Sequence, residues 1–202
     1  LTYRNMPFVL SPNFSKIFNK KNILKKERLH GDGIKISSAS PECLDEPFWI
    51  KENVNYYNQA ISTSRKFNKK TLDLYGIFLD RHSKFQGKDK ILIKNNNNHV
   101  RINQLSKFFK NDIFIVLYRE PLAQAFSLYK THKKICDAQK KDPFILDYMN
   151  LIGHREFGLN QTYFKYDEAS LNALQINAPK GNLTFEYWLQ SWINCYGWLL
   201  KN

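Results

Sequence analysis

KILIKNNNNHVRINQLSKFFKNDIFIVLYREPLAQAFSLYKT, residues 90–131, is the stretch on which the fold turns. Ile91, Leu92 and Ile93 form an unbroken apolar run within Lys90–Lys94, and IFIVLY, Ile113–Tyr118, is apolar at every position. Unbroken runs suit strands buried on both faces, as in a parallel sheet covered by helices. Between them Ile102, Leu105 and Phe109 recur at helical spacing, so the connection reads as a right-handed helical crossover. Arg119-Glu120-Pro121 follows, with Pro121 at the first helical position, where its missing N–H costs nothing. The next helix is expected to bury Leu122, Ala125, Phe126 and Tyr129. The fold class predicted is α/β, a parallel sheet flanked by helices.

In such a sheet Lys94 and Arg119 each end a strand, and ligands bind beyond the carboxyl ends of strands. Ser127 lies eight residues after Arg119, in the first turns of the helix and off its apolar stripe. A guanidinium and a hydroxyl beside a helix N-terminus suit a phosphate.

Composition sets the outer bounds. The 202 residues are 43% hydrophobic and 15% aromatic, enough for one domain with a core, and no apolar run has the length of a membrane span. Lys and Arg total 31 against 18 Asp and Glu, a net charge of +13 that attracts polyanions, whether nucleic acid or a phosphorylated cofactor. A Lys- and Asn-rich surface explains the same charge, since only Lys20-Lys21 and Lys25-Lys26 form a dense block. Cys43, Cys136 and Cys195 show no CxxC, so neither a zinc site nor a disulfide framework is indicated.

Along the chain, Pro7 and Pro12 cut the opening into short extended or turn pieces, and HGDG, residues 30–33, must turn. Ser40-Pro41-Glu42 reads as a helix start with Glu46 one turn on, and Glu42 there is explained by the helix dipole. Residues 64–84 form a packing helix with Leu72, Tyr75, Phe78 and Leu79 on one face. Residues 142–153 look helical and lead into GHREFG, residues 153–158. His154 and Glu156, two apart, cannot share a helical face as metal ligands. Residues 158–182 read as an irregular polar loop. From Thr184 to Lys201, Phe185, Trp188, Leu189, Trp192, Tyr196 and Leu199 mark an amphipathic helix whose aromatic stripe reads as core.

Arg119, Pro121 and Ser127, placed after an apolar strand, resemble the 3'-phosphate motif of the sulfotransferases that use 3'-phosphoadenosine 5'-phosphosulfate (PAPS). Further islands resemble the bacterial-type members in the same order: Arg4, Met6, Pro7 and Phe8; Ser40-Pro41-Glu42 with later acids and Trp49; Lys94 with Arg101 and Ile102; and the His-x-Glu-Phe-Gly at 154–158. Asn5 stands where a carboxylate is expected, and Asn96 or Asn97 replaces an expected Pro.

The resemblance implies a P-loop-kinase-like sulfotransferase fold and PAPS as co-substrate, without a metal. It implies sulfuryl transfer to a hydroxyl or amine acceptor, and Arg119 and Ser127 on the 3'-phosphate. Lys94 either faces the cofactor or substrate or is a surface lysine. The cytosolic branch has a His where Asn96 stands, and the general base stays open among His30, Glu42 and His154. With no glycine-rich phosphosulfate loop in the sequence, residues 1–202 are expected to be a single sulfotransferase domain truncated at both ends and inactive on its own. The competing classes are a basic nucleic-acid-binding module, which predicts aromatics interleaved on a basic face, and a nucleotide kinase of related fold. Aromatics at core spacing speak against a nucleic-acid partner. The acceptor's class is not specified by these residues.

Overall fold

The computed structural model describes residues 24–28, 33–37, 40, 45–52, 60–63, 65–178 and 182–202. The expectations placed on Arg4 to Phe8, His30 and Glu42 lie outside these residues. Among the described residues the chain is mostly helical, with seven α-helices and two short strand pairs. It divides into two compact units.

The first unit gathers the described residues of Leu1–Asn55 with Asn68–Asn95 and Asp147–His154. Lys26–Glu27 (β1) pairs antiparallel with Lys35–Ile36 (β2), and Gly33 adopts φ 76°. Glu46–Lys51 (α1) carries Phe48 and Trp49 into the core, 5% and 0% exposed. Lys69–Phe85 (α2) is capped by the Asn68 side chain, which accepts from the Thr71 N–H. It buries Leu72, Tyr75 and Phe78 as its periodicity predicts. The Trp49 and Tyr75 rings lie 4.5 Å apart and the Phe48 and Phe78 rings 5.2 Å apart. Pro143–Ile152 (α5) matches the helix expected there; its part from Asp147 belongs to this unit, with Met149 and Ile152 buried.

The second unit holds Tyr56–Phe67, Asn96–Leu146 and Arg155–Asn202. A 3-10 turn, Asn96–Val100, leads into Ile102–Phe108 (α3), a helix where one was expected, with Leu105 buried but without strands on either side for it to connect. Pro121–Lys141 (α4) packs along Phe185–Leu199 (α7). Ala60–Ser62 (β3) pairs in parallel with Tyr163–Lys165 (β4).

Three expectations are corrected. Lys90–Lys94 and Ile113–Tyr118 join neither described ladder. The second run lies open, with Ile113 88%, Ile115 72% and Leu117 77% exposed. An apolar run reports that a segment can be buried on both faces, and supplies no neighbour to bury it. On α4 Ala125 is buried as expected, but the buried face continues through His132, Ile135 and Gln139 while Leu122 and Phe126 are exposed, because α7 and the loop after α5 pack on a side turned about a quarter turn from the one the aliphatic residues mark. The described residues of 158–182 are not an irregular loop throughout. They hold β4 and Glu168–Ile176 (α6), which opens with a capping box in which Asp167 and Ser170 satisfy each other's N–H.

The loop after α5 is fixed by two α4 side chains. Gly158 N–H donates to His132 Nδ1 at 3.3 Å and Leu159 N–H to Gln139 Oε1 at 2.7 Å. Gly158 has φ 92°, and a Cβ there would collide with the Gln139 amide.

His99 sits edge-on to Phe164 at 4.4 Å and Tyr166 at 5.6 Å, with Nδ1 buried and without a hydrogen-bond partner. Burial and then the nearby Arg101 guanidinium hold its pKa down, to about 4, against the opposing pull of Glu156. The folded value lies below the ordinary value of 6.5, so this stabilising contribution is complete above pH 6.5 and is lost as pH falls toward 4. His132, lowered by burial, acts in the same direction. His99→Phe keeps an aromatic ring and is expected to flatten the acid limb of a stability–pH profile from urea unfolding, removing at most about 1.4 kcal/mol per pH unit. An unchanged slope would show that His99 does not bear that limb.

Candidate functional site

In the second unit the chain leaves α3, passes through Ile113–Tyr118 outside any helix or strand and enters α4. Glu120 is the N-cap: its carboxylate accepts from the N–H groups of Leu122 at 3.0 Å and Ala123 at 2.6 Å, and its carbonyl from Gln124 N–H at 3.0 Å. Pro121 at the first helical position needs no partner. This start places Arg119 just outside the helix and Ser127 on its second turn.

Arg119 and Ser127 open onto one pocket of about 360 Å³, together with Asn96, Tyr118, Gln124 and Tyr196. Leu117 and Leu128 supply its apolar wall. Both predicted cofactor residues are exposed, and of the side chains lining the pocket only Arg119 is a cation. The far wall comes from α7. Tyr196 O–H donates to the Leu117 carbonyl at 2.6 Å, and Trp192 Nε1–H donates to the Arg119 carbonyl at 3.2 Å. The Tyr118 ring lies 5.6 Å from Trp192 and 5.5 Å from Tyr196. Burial holds the Tyr196 phenol above its ordinary pKa, so it is a donor near neutral pH.

The pocket therefore offers one permanent guanidinium charge with neutral hydroxyl and amide groups, a set suited to a compact oxyanion. One element of the expected site is altered: the free amides of the helix N-terminus are already occupied by Glu120, so side chains rather than the helix end face a ligand.

The candidate catalytic residues are not assembled with it in one unit. His30 and Glu42 lie outside the described residues. Lys94, exposed, and His154, half-buried, belong to the first unit, where the His154 N–H closes α5 on the Met149 carbonyl at 2.9 Å. Among the described residues no group of three or more His, Cys, Asp or Glu side chains could hold a metal, and no helix is long and apolar enough to cross a membrane.

Sequence reasoning missed a polar node in the first unit. Asp45 and Glu46 are 2% and 0% exposed. Asp45 accepts from Tyr75 O–H at 2.5 Å, Asn95 Nδ2–H at 2.5 Å and Trp49 Nε1–H at 3.2 Å, and Asn95 also donates to Glu46 at 2.7 Å. The available signal was the Asp-Glu pair set directly before Pro47, Phe48 and Trp49, acids with nowhere to go but inward. It also missed that Trp192 and Tyr196 present their polar ends to the chain carrying Arg119.

Compared with protein-family models, curated proteins and solved structures, the chain matches none.

Proposed function

We propose that this chain carries the 3'-phosphate subsite of a PAPS-dependent sulfotransferase, an enzyme moving a sulfuryl group to a hydroxyl or amine acceptor. One observation carries the reading: Arg119 and Ser127, paired from the sequence by type and spacing, line the same pocket. A 3'-phosphate brings two negative charges and three acceptor oxygens. Arg119 meets it with a planar donor fork, Ser127 with a hydroxyl, and Asn96 and Gln124 extend the neutral donors.

The finer fold belongs to the same proposal. An apolar Ile113–Tyr118 with its edge open is the kind of segment a parallel, P-loop-kinase-like sheet would flank with further strands. No residue of this chain is assigned to a phosphosulfate loop or as general base. Sulfuryl transfer resembles phosphoryl transfer in relying on positioning and cationic stabilisation, so a complete catalyst on this reading needs a phosphosulfate cradle besides the pocket.

The test is calorimetric titration with 3'-phosphoadenosine 5'-phosphate and, separately, adenosine 5'-phosphate. The bisphosphate is expected to bind at least about tenfold tighter, since hydrogen bonds to a charged group contribute about 1.5–3 kcal/mol. Equal affinities would sink the 3'-phosphate assignment and favour a nucleotide-kinase-like site.

A further inference from the structure

We infer that Trp192 and Tyr196 are positioning residues that set Arg119 over the pocket, an inference that rests on the proposed 3'-phosphate site. The question they answer is what holds Arg119 in register. Its segment belongs to no described ladder, and Ile113, Ile115 and Leu117 are largely exposed. The α4 cap fixes the chain from Glu120 onward and leaves the residues before it to other contacts.

Two α7 side chains supply them. Trp192 and Tyr196 are one turn apart, about 6 Å along the helix axis. The carbonyls they bond, of Arg119 and Leu117, are two residues apart, a step that spans at most about 7 Å of chain. The repeats match, so α7 grips the segment with an indole N–H and a phenol O–H as a neighbouring strand would with backbone N–H groups. Tyr118 packs its ring against both, closing the clamp. The Trp192 and Tyr196 rings lie 4.6 Å apart, in contact with each other. Packing alone does not require polar ends on this stripe, and half-buried indole and phenol groups need partners. Here those partners are the carbonyl of Arg119 itself and that of Leu117, two residues before it. Tyr196 also lines the pocket together with Gln124, so the α7 wall and the helix that bears Ser127 meet there.

Tyr196→Phe and Trp192→Phe each keep an aromatic ring and delete one donor. Affinities for 3'-phosphoadenosine 5'-phosphate and adenosine 5'-phosphate are measured by calorimetry for each, alone and combined with Arg119→Ala, with thermal unfolding alongside. Loss of a neutral hydrogen bond predicts about 3–10-fold weaker bisphosphate binding in each single variant, with adenosine 5'-phosphate changed by less than about twofold. In the Arg119→Ala background Tyr196→Phe is expected to have no further effect, because the group it positions is gone. Tyr196→Phe carries the test should the smaller ring of Trp192→Phe disturb the fold. Unchanged bisphosphate affinity, or a loss that persists undiminished without Arg119, overturns the positioning role while leaving the 3'-phosphate reading in place. A wild-type chain that does not prefer the bisphosphate overturns that reading and this inference with it.

Discussion

Asp45→Ala is expected to destabilise the first unit by about 3–5 kcal/mol, the scale on which removing one partner of a buried charged network acts. The carboxylate is 2% exposed and accepts from Trp49, Tyr75 and Asn95, so a single truncation withdraws the acceptor from three donors on three segments. Each hydrogen bond to a charged group contributes about 1.5–3 kcal/mol, and the three are not additive because they share one acceptor. The surrounding core cannot relax cheaply, since Trp49 is fully buried with its ring 4.5 Å from Tyr75. Asp45→Asn keeps the shape and one acceptor oxygen and is expected to lose roughly half as much. Urea unfolding followed by tryptophan fluorescence reads both variants. A cost below about 1 kcal/mol for Asp45→Ala would mean that the node is incidental to the fold.

That node also marks the limit of what the sequence carries. Helical periodicity is local, and α5 and α7 were legible from it almost to their ends, whereas α2 begins at Lys69, five residues after the start expected at Ser64. Pro121 marked the start of α4, and that start brought Arg119 and Ser127 to one pocket. The Asp45–Asn95 contact joins residues fifty positions apart, and no spacing rule reaches that far. The run Ile113–Tyr118 failed differently: its composition speaks of burial, yet which neighbour provides it is a tertiary matter. The strands β3 and β4, three residues each, are too short to show a period, and α6 was hidden by the polar composition around its capping box. On α7 the aromatic stripe was read for its rings alone. Its polar ends turn out to face the Arg119 segment.

Arg119→Ala is expected to weaken 3'-phosphoadenosine 5'-phosphate binding by about 1.5–3 kcal/mol, or roughly 10- to 150-fold. The size follows from the pocket's charge distribution. Arg119 is the single cation lining it, and Glu120, directly beside it in sequence, spends its carboxylate on the Leu122 and Ala123 N–H groups. The cap removes the helix amides as alternative phosphate donors, which concentrates the recognition on Arg119. Arg119→Lys keeps the charge and loses the bidentate fork, so it should fall between wild type and Ala. Ser127→Ala removes a neutral donor and is expected to cost less, roughly 0.5–1.5 kcal/mol. Arg119 is exposed and lies outside both units' buried cores, so thermal unfolding of the Ala variant should stay near wild type. The alternative is that Arg119 serves only the fold or attracts any anion. It predicts equal losses for the bisphosphate and for adenosine 5'-phosphate. Calorimetry with both ligands separates the two cases: selective loss for the bisphosphate places the guanidinium on the 3'-phosphate, and parallel loss removes it from that role.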